Sequence, residues 1–383
     1  MADVRAFAGY RYNPRRVDLA EVVAPPYDVL SDEQVAELKA RSPYNVVHLT
    51  RPGSDYASAA HRLRDWTSQD ILARDAHEIY LHEVAWEGKV RRDLLGALRL
   101  EPYGGAVLPH ERTHRGPKED RLALLRATGW ALEPLWFLYD GSGTSLPGLL
   151  DEQFAEQPAV EFDFPAGERH RLWAVSDRDW HRRVSHALAP LPVLIADGHH
   201  RYETTLAYSE ETGGDLDAAS RFTPALLTDL ADPGLVVLPT HRLLRAGVAV
   251  TGGEEVGSLP ELLDRLVNGH VAAGTYRDGH YQVLELEGEV PAVELHRQVV
   301  DNLLGKRNPE EYLSYTRDPA EAVRAVDEGR AASAFFLGTP DLKVVLAKAR
   351  EGMTMPQKTT YFHPKPPSGM VFHELDSQHL IED

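Results

Sequence analysis

A chain of 383 residues, 43% hydrophobic and 26% charged, is composed like an ordinary globular protein and is long enough for two or three domains with a large core. A net charge of −18 argues against a general nucleic-acid or membrane-surface binder, and no apolar run reaches the length of a membrane span. The absence of cysteine excludes disulfides, thiolate metal sites and a cysteine nucleophile, and the opening MADVRAFAGYRYNP, with no uninterrupted apolar stretch, predicts a cytoplasmic protein.

In chain order, Val4 to Pro26 reads as extended and ends in a double proline. Ser31 with Gln34 three residues on predicts a capped helix closing near Ser42-Pro43. YNVVHLTRP (44–52) predicts a strand, and SDYASAAHRLRDWTSQDILARD (54–75) an amphipathic helix. EIYLHEVAWEG and VRRDLLGALRLEPY alternate and turn as a β-hairpin. KEDRLALLRATG predicts a helix stopped by Gly129, and EPLWFLYD a strand. RLWAVSDRDWHRRVSHALAPLPVLIAD then gives strand, helix, strand. Beyond GLVVLPTHRLL the expected elements are a helix in EEVGSLPELLDRLVNG, a strand in YQVLELEG and a helix in VELHRQVVDNLLG. A helix in AEAVRAVDEGR, a strand in ASAFFLG, and a strand or short helix in KVVLAKARE close the series. Mixed elements throughout predict an α/β (mixed α+β) fold. The domains are expected at 1–240 and 241–383, the second a smaller α+β part whose MPQKTTYFHPK loop returns to the cleft of the first.

The stretch LPVLIADGHHRYETTLAYSEE (191–211) joins a short, partly β-branched apolar run to residues at helical spacing. A strand, a tight turn and a helix start are therefore expected around Asp197-Gly198-His199-His200-Arg201. Backbone N–H groups and the helix dipole favour an anion at such a start, Gly198 permits close approach of backbone, and Arg201 can fork onto a phosphate or carboxylate. The plainer alternative is a turn in which Asp197 caps the helix and Arg201 pairs with an acidic neighbour.

The stretches APPYDV (24–29), HERTHRGPKEDRLALL (110–125), IADGHHRYETTLAY (195–208), LPTHRLL (238–244) and MPQKTTYFHPKPPSG (355–369) together resemble the bacterial and archaeal "domain of unknown function 1015" family. That family has no settled activity. The DGHHR box is also similar to the Gly-x-His-Arg box of the ParB and sulfiredoxin superfamily, which includes nucleotide-binding partition proteins and a free-serine kinase. The resemblance implies a ParB/sulfiredoxin-like phosphate-binding strand–turn–helix, with Gly198, His200 and Arg201 on nucleotide phosphates and His199 in the variable position. Sulfiredoxin chemistry needs a cysteine there, which this chain lacks. No helix-turn-helix or basic DNA-binding surface is recognisable either, so the small-molecule kinase is the surviving relative.

Other motifs carry two readings each. HERTH fits the zinc pattern H-E-x-x-H, but Pro109 before it and Gly116-Pro117 after it leave barely two helical turns for His110 and His114. A polar loop lining the cleft is the better expectation, with Lys118 and Arg121 binding substrate and Glu111 acting as general base or holding a metal-bound water. Asp28, after two prolines, is either a turn cap or a Mg²⁺ ligand or base beside the phosphate. Lys358 and Lys365 are solvated charges on the bland reading. On the functional one, Lys358 is the second phosphate contact. His241 and Arg242 are a strand-end polar pair or substrate contacts.

These readings predict a nucleotide-dependent phosphotransferase using ATP or ADP and Mg²⁺ on a small hydroxylated metabolite, such as a serine-like amino acid, with no nucleic-acid or membrane partner. A non-catalytic nucleotide- or phosphometabolite-binding regulator is the alternative, and a metal-dependent hydrolase built on HERTH the third.

Overall fold

The computed structural model describes residues 1–111, 115–245, 252–266, 271–377 and 381, with 115–117 and 310 described in backbone only. The chain divides into two compact units. The first comprises Met1–Leu108, Thr113–Leu235 and Pro364–Asp383; the second comprises Pro109–Arg112 and Val236–His363.

The first unit is built on a mixed sheet of nine strands: β1 (Val4–Arg5), β2 (Ile79–Trp86), β3 (Lys89–Arg99), β4 (Val107–Leu108), β5 (Leu135–Tyr139), β6 (Val160–Asp163), β7 (Glu168–Val175), β8 (Val193–Asp197) and β9 (Phe222–Asp229). Their order is β4-β8-β5-β9-β3-β2-β7-β6, with β1 on β3. The β4/β8 and β5/β9 pairs are parallel and the others antiparallel. The hairpin β2–β3 turns at Glu87-Gly88, both at positive φ (46° and 74°), which suits the tight two-residue turn that matches strand twist.

Helices α1 (Asp32–Arg41), α2 (Tyr56–Ser68), α3 (Arg115–Thr128), α4 (Leu146–Phe154), α5 (Arg178–Leu188) and α6 (His199–Thr212) belong to this unit. Ser31 and Gln34 form the reciprocal capping box at the start of α1, and Gly129 (φ 68°) stops α3. Leu146, Leu149 and Phe154 of α4 and Trp180, Val184 and Leu188 of α5 join Leu81, Leu94, Phe137 and Ile195 of the sheet in one apolar core. A second core gathers Val35 and Leu38 of α1, Leu63 and Trp66 of α2 and Leu124 of α3 around Tyr10, Tyr12 and Phe372.

In the second unit six strands form an antiparallel sheet: β10 (His241–Leu244), β11 (Glu254–Val256), β12 (Ala272–Arg277), β13 (His280–Glu285), β14 (Leu313–Thr316) and β15 (Ser333–Leu337), in the order β11-β13-β12-β15-β10-β14. Helices α7 (Leu259–Leu266) and α8 (Pro319–Asp327) share one core with this sheet, and the helical segment 291–304 shares another. A further helix, α9, spans Leu342–Arg350.

Two local expectations are corrected and a third is decided. The segment read as a strand in YNVVHLTRP contains a helical turn, Val47–Thr50. Buried Asn45 accepts from Val47 N at 3.1 Å and donates to the carbonyls of Glu21 (2.8 Å) and Val23 (3.1 Å), so a side chain organises the turn that β-branched residues alone would not choose. EEVGSLPELLDRLVNG, expected as one helix, divides into β11 and α7 at Gly257-Ser258; of the two readings of KVVLAKARE the helical one holds, in α9, capped by Asp341.

Candidate functional site

Strand β8 delivers Asp197 to the edge of a turn that only glycine fits easily. Gly198 has φ 101° and ψ 26°, and a β-carbon on it would stand 2.8 Å from Leu135 Cδ2 and 3.2 Å from Arg201 Nη2. Helix α6 starts at the next residue without a side-chain cap from Gly198, as a glycine requires. Fully buried Tyr202 anchors this first turn, donating to Glu101 O (2.8 Å) and accepting from Glu101 N (3.1 Å). His199 is buried and His200 half-buried.

Charges gather at this turn. Asp197 Oδ2 accepts from Arg201 Nη2 at 2.8 Å, while its other oxygen takes the ammonium of Lys365. Lys365 Nζ also stands 3.7 Å from Asp28 Oδ2, and its side chain is only 9% exposed. Arg201 Nη1 donates to Pro134 O at 2.9 Å and lies 3.7 Å from Glu133 Oε2. Glu133 in turn accepts from Tyr27 N (3.2 Å) and from the Ser368 hydroxyl. Three carboxylates thus enclose two cations. Burial works against the charge on Arg201, but Glu133, Asp197 and Asp28 outweigh it and hold the guanidinium more firmly protonated than usual.

Asp28 lies in the one-turn helix Tyr27–Val29 directly after Pro25-Pro26. Arg51 pins this turn through the carbonyls of Tyr27 (2.9 Å) and Leu30 (3.3 Å), and the Arg121 guanidinium packs 4.3 Å from the centre of the Tyr27 ring. Burial pushes the Tyr27 phenol up to about 12, so it remains a hydrogen-bond donor at neutral pH. Beneath the helix start a cavity of about 40 Å³ touches Arg121, Glu133, Arg201 and Thr204.

The first unit therefore brings together Asp28, Asp197, Gly198, His199, His200 and Arg201. Lys118 is engaged by Glu203, and Arg121 by Asp120 and by Thr50 O at 2.8 Å. The Arg201 fork, expected on a ligand, is taken up within the protein. Sequence reading passed over two members, Lys365 and Glu133. Lys365 sits in the same proline-rich segment as Lys358 and was assigned to solvent on the bland reading, whereas its ammonium is buried between two carboxylates.

The other expected residues lie in the second unit. Buried His110 has Nε2 2.8 Å from Thr360 Oγ1, and Glu111 Oε1 is 3.7 Å from that nitrogen and 3.5 Å from Thr360 N. His114 lies outside the described residues. His241 is buried against Phe336, and burial, with the Arg242 charge adding to it, pulls its imidazole down to about 4. Arg242 is fully buried, bonded to Thr240 O and, at 3.1 Å, to Lys358 O. Burial pulls it down to about 10, while Tyr315 and Glu111 oppose this. Lys358 is exposed and holds a left-handed backbone (φ 56°), a conformation that costs a non-glycine residue roughly 1 kcal/mol or more.

A resident metal does not fit the cluster of the first unit. Lys365 stands between Asp28 and Asp197, where a divalent ion would have to bind, and among the described residues no group of three histidines or carboxylates is placed to hold one.

The fold and the site define a mixed α/β protein with a buried charge cluster at a strand–glycine–helix junction. The family model described as "Protein of unknown function (DUF1015)" matches residues 4–323, and the chain belongs to that family. Among solved structures it is similar to a conserved hypothetical protein from Pyrococcus furiosus, with 16% identity over 70% of this chain and 90% of that one and a TM-score of 0.39. It is also similar to a free serine kinase in complex with AMP (15% identity, 69% and 88% covered, TM-score 0.38). A third likeness is to SbnI with a C-terminal truncation from Staphylococcus aureus (10%, 74% and 90%, TM-score 0.35). No curated protein matches the chain.

Proposed function

We propose that this protein binds a nucleoside phosphate, ATP or ADP, at the start of α6 and transfers a phosphoryl group to a small hydroxylated metabolite. One observation carries the reading: a helix start opened by a left-handed glycine lies beside a buried lysine that two carboxylates orient. Phosphoryl transfer asks a protein for positioning and charge neutralisation more than for covalent help. The backbone of the first turn of α6 and His200 hold phosphate oxygens, and Lys365 meets the charge that develops on the leaving phosphate. The cluster has one carboxylate in excess of its cations, so the nucleotide enters with Mg²⁺ on its own phosphates, as part of the substrate. Asp28 is the base. The acceptor hydroxyl oxygen forms its bond to phosphorus, the bond from phosphorus to the bridging oxygen breaks, and the hydroxyl proton passes to Asp28.

The test is calorimetry with ATP and ADP, with and without Mg²⁺, followed by mass spectrometry of a panel of hydroxylated metabolites incubated with nucleotide. Lys365→Met is expected to weaken nucleotide binding by roughly 10- to 100-fold, the value of a hydrogen bond to a charged group. Nucleotide binding by the wild type without transfer to any acceptor replaces the enzyme with a nucleotide-binding regulator. No binding at all removes both.

A further inference from the structure

Strand residues at the centre of the first unit carry charges that the proposed reaction does not use. Arg91 and Asp93 on β3 and His82 on β2 are fully buried, and His170 on β7 nearly so. Arg91 grips Asp93 from Nε (2.9 Å) and Nη2 (3.1 Å) and lies 4.3 Å from the centre of the Trp136 ring. Asp93 also binds His82 Nδ1 at 2.7 Å. The second ring nitrogen of His82 meets His170 at 2.9 Å, and His170 ends the chain on Phe164 O at 2.6 Å. Burial alone would raise the Asp93 carboxyl, but Arg91 and His82 hold it down at about 2.

Such a cluster is a poor device for stability, because burying ions costs several kcal/mol each and apolar replacements of whole buried pairs are often neutral or better. Its two outlets suggest another use. Arg91 Nη1 donates to the carbonyl of Pro364, the residue before Lys365. On the other side Asp93 accepts from Thr228, which accepts from Trp136 Nε1 at 2.8 Å, and Trp136 is the sheet partner of Asp197. The chain of bonds thus reaches both halves of the Lys365–Asp197 ion pair.

We infer that Arg91 and Asp93 are positioning residues that set Lys365 against Asp197 and Asp28, an inference that takes the role of Lys365 from the proposed function. They touch no substrate. Their effect runs through the Pro364 carbonyl and the β5–β8 register.

The experiment measures Lys365 directly, so it does not depend on turnover. Amine acetylation of the whole protein is followed by mass spectrometry at Lys365, with exposed Lys343 as internal reference. The paired replacement Arg91→Met with Asp93→Leu removes both charges together and is expected to fold. Lys365 should then be acetylated at least tenfold faster while Lys343 is unchanged, and any phosphotransfer should fall in kcat more than in KM. Thr228→Val, close in shape to the wild type, is expected to raise the rate about threefold, and Arg91→Lys to fall between wild type and the paired variant. An unchanged Lys365 rate in the folded paired variant overturns the inference, as does an unchanged rate in Thr228→Val if the paired variant does not fold. Accelerated acetylation in a protein that transfers no phosphate supports the positioning role and sinks only the enzymatic reading.

Discussion

Replacing Arg201 tests whether its guanidinium serves the protein or a ligand. Arg201→Met removes a charge-assisted bond to Asp197 (2.8 Å), a bond to Pro134 O (2.9 Å) and the attraction of Glu133 at 3.7 Å. Breaking a buried pair by deleting one partner costs about 3–5 kcal/mol. The low end applies because Lys365 still covers Asp197 and because methionine fills much of the vacated space. A loss of about 3 kcal/mol should lower the melting temperature by roughly 6–12 °C in a unit of this size. Arg201→Lys keeps the charge but not the fork and should lose about half as much. Differential scanning calorimetry of the ligand-free proteins is the assay. A fall of less than about 2 °C in Arg201→Met, accompanied by lost nucleotide affinity, would refute the reasoning and return Arg201 to the ligand.

The remaining predictions concern the turn and a buried histidine. Gly198→Ala forces a β-carbon toward Leu135 at a left-handed φ and should cost about 2–4 kcal/mol in urea denaturation; a change within about 0.5 kcal/mol would show that the turn relaxes freely. Burial pulls the imidazole of His373 down to about 4, opposed by its Nε2 contact with Ala219 O at 3.1 Å, while Nδ1 has no hydrogen-bond partner. The unfolded chain binds this proton near pH 6.5, so the contribution of the neutral ring is complete above that value and is lost as pH falls toward 4. Between pH 7.5 and 5 the loss should be roughly 2 kcal/mol, and His373→Gln should flatten that part of the stability profile; an equally steep profile in the variant places the titration elsewhere.

Elements were legible in the sequence where the cause is local. The Ser31–Gln34 box, the Glu87-Gly88 turn, the Gly129 stop and the strand–Gly198–helix junction all depend on residues within a few positions of one another. Strand β9 gives no clean signal in the sequence: Pro224, lacking an N–H, argues against a central strand, yet it sits opposite Ala97 in the middle of the sheet. The Val47–Thr50 turn depends on Asn45 reaching the carbonyls of Glu21 and Val23, and no spacing rule reports such a bond. The charge cluster was half visible for the same reason. Asp197 and Arg201 are one helical turn apart, whereas Lys365 pairs with a residue 168 positions away and Glu133 approaches Arg201 from the bend before another strand.

The division of the chain has a consequence for its synthesis. Phe372 belongs to the core beside Tyr10 and Tyr12, strand segment His373–Glu374 pairs with Trp130–Ala131, and Lys365 lies between Asp28 and Asp197. All of them belong to the first unit, yet the ribosome reaches them only after making residues 236–363. At about 5–20 residues per second, the nascent first unit waits roughly six seconds or more with a core residue missing and two carboxylates lacking their lysine. The first unit therefore closes its core and its buried ion pair only after the whole of the second unit has been made.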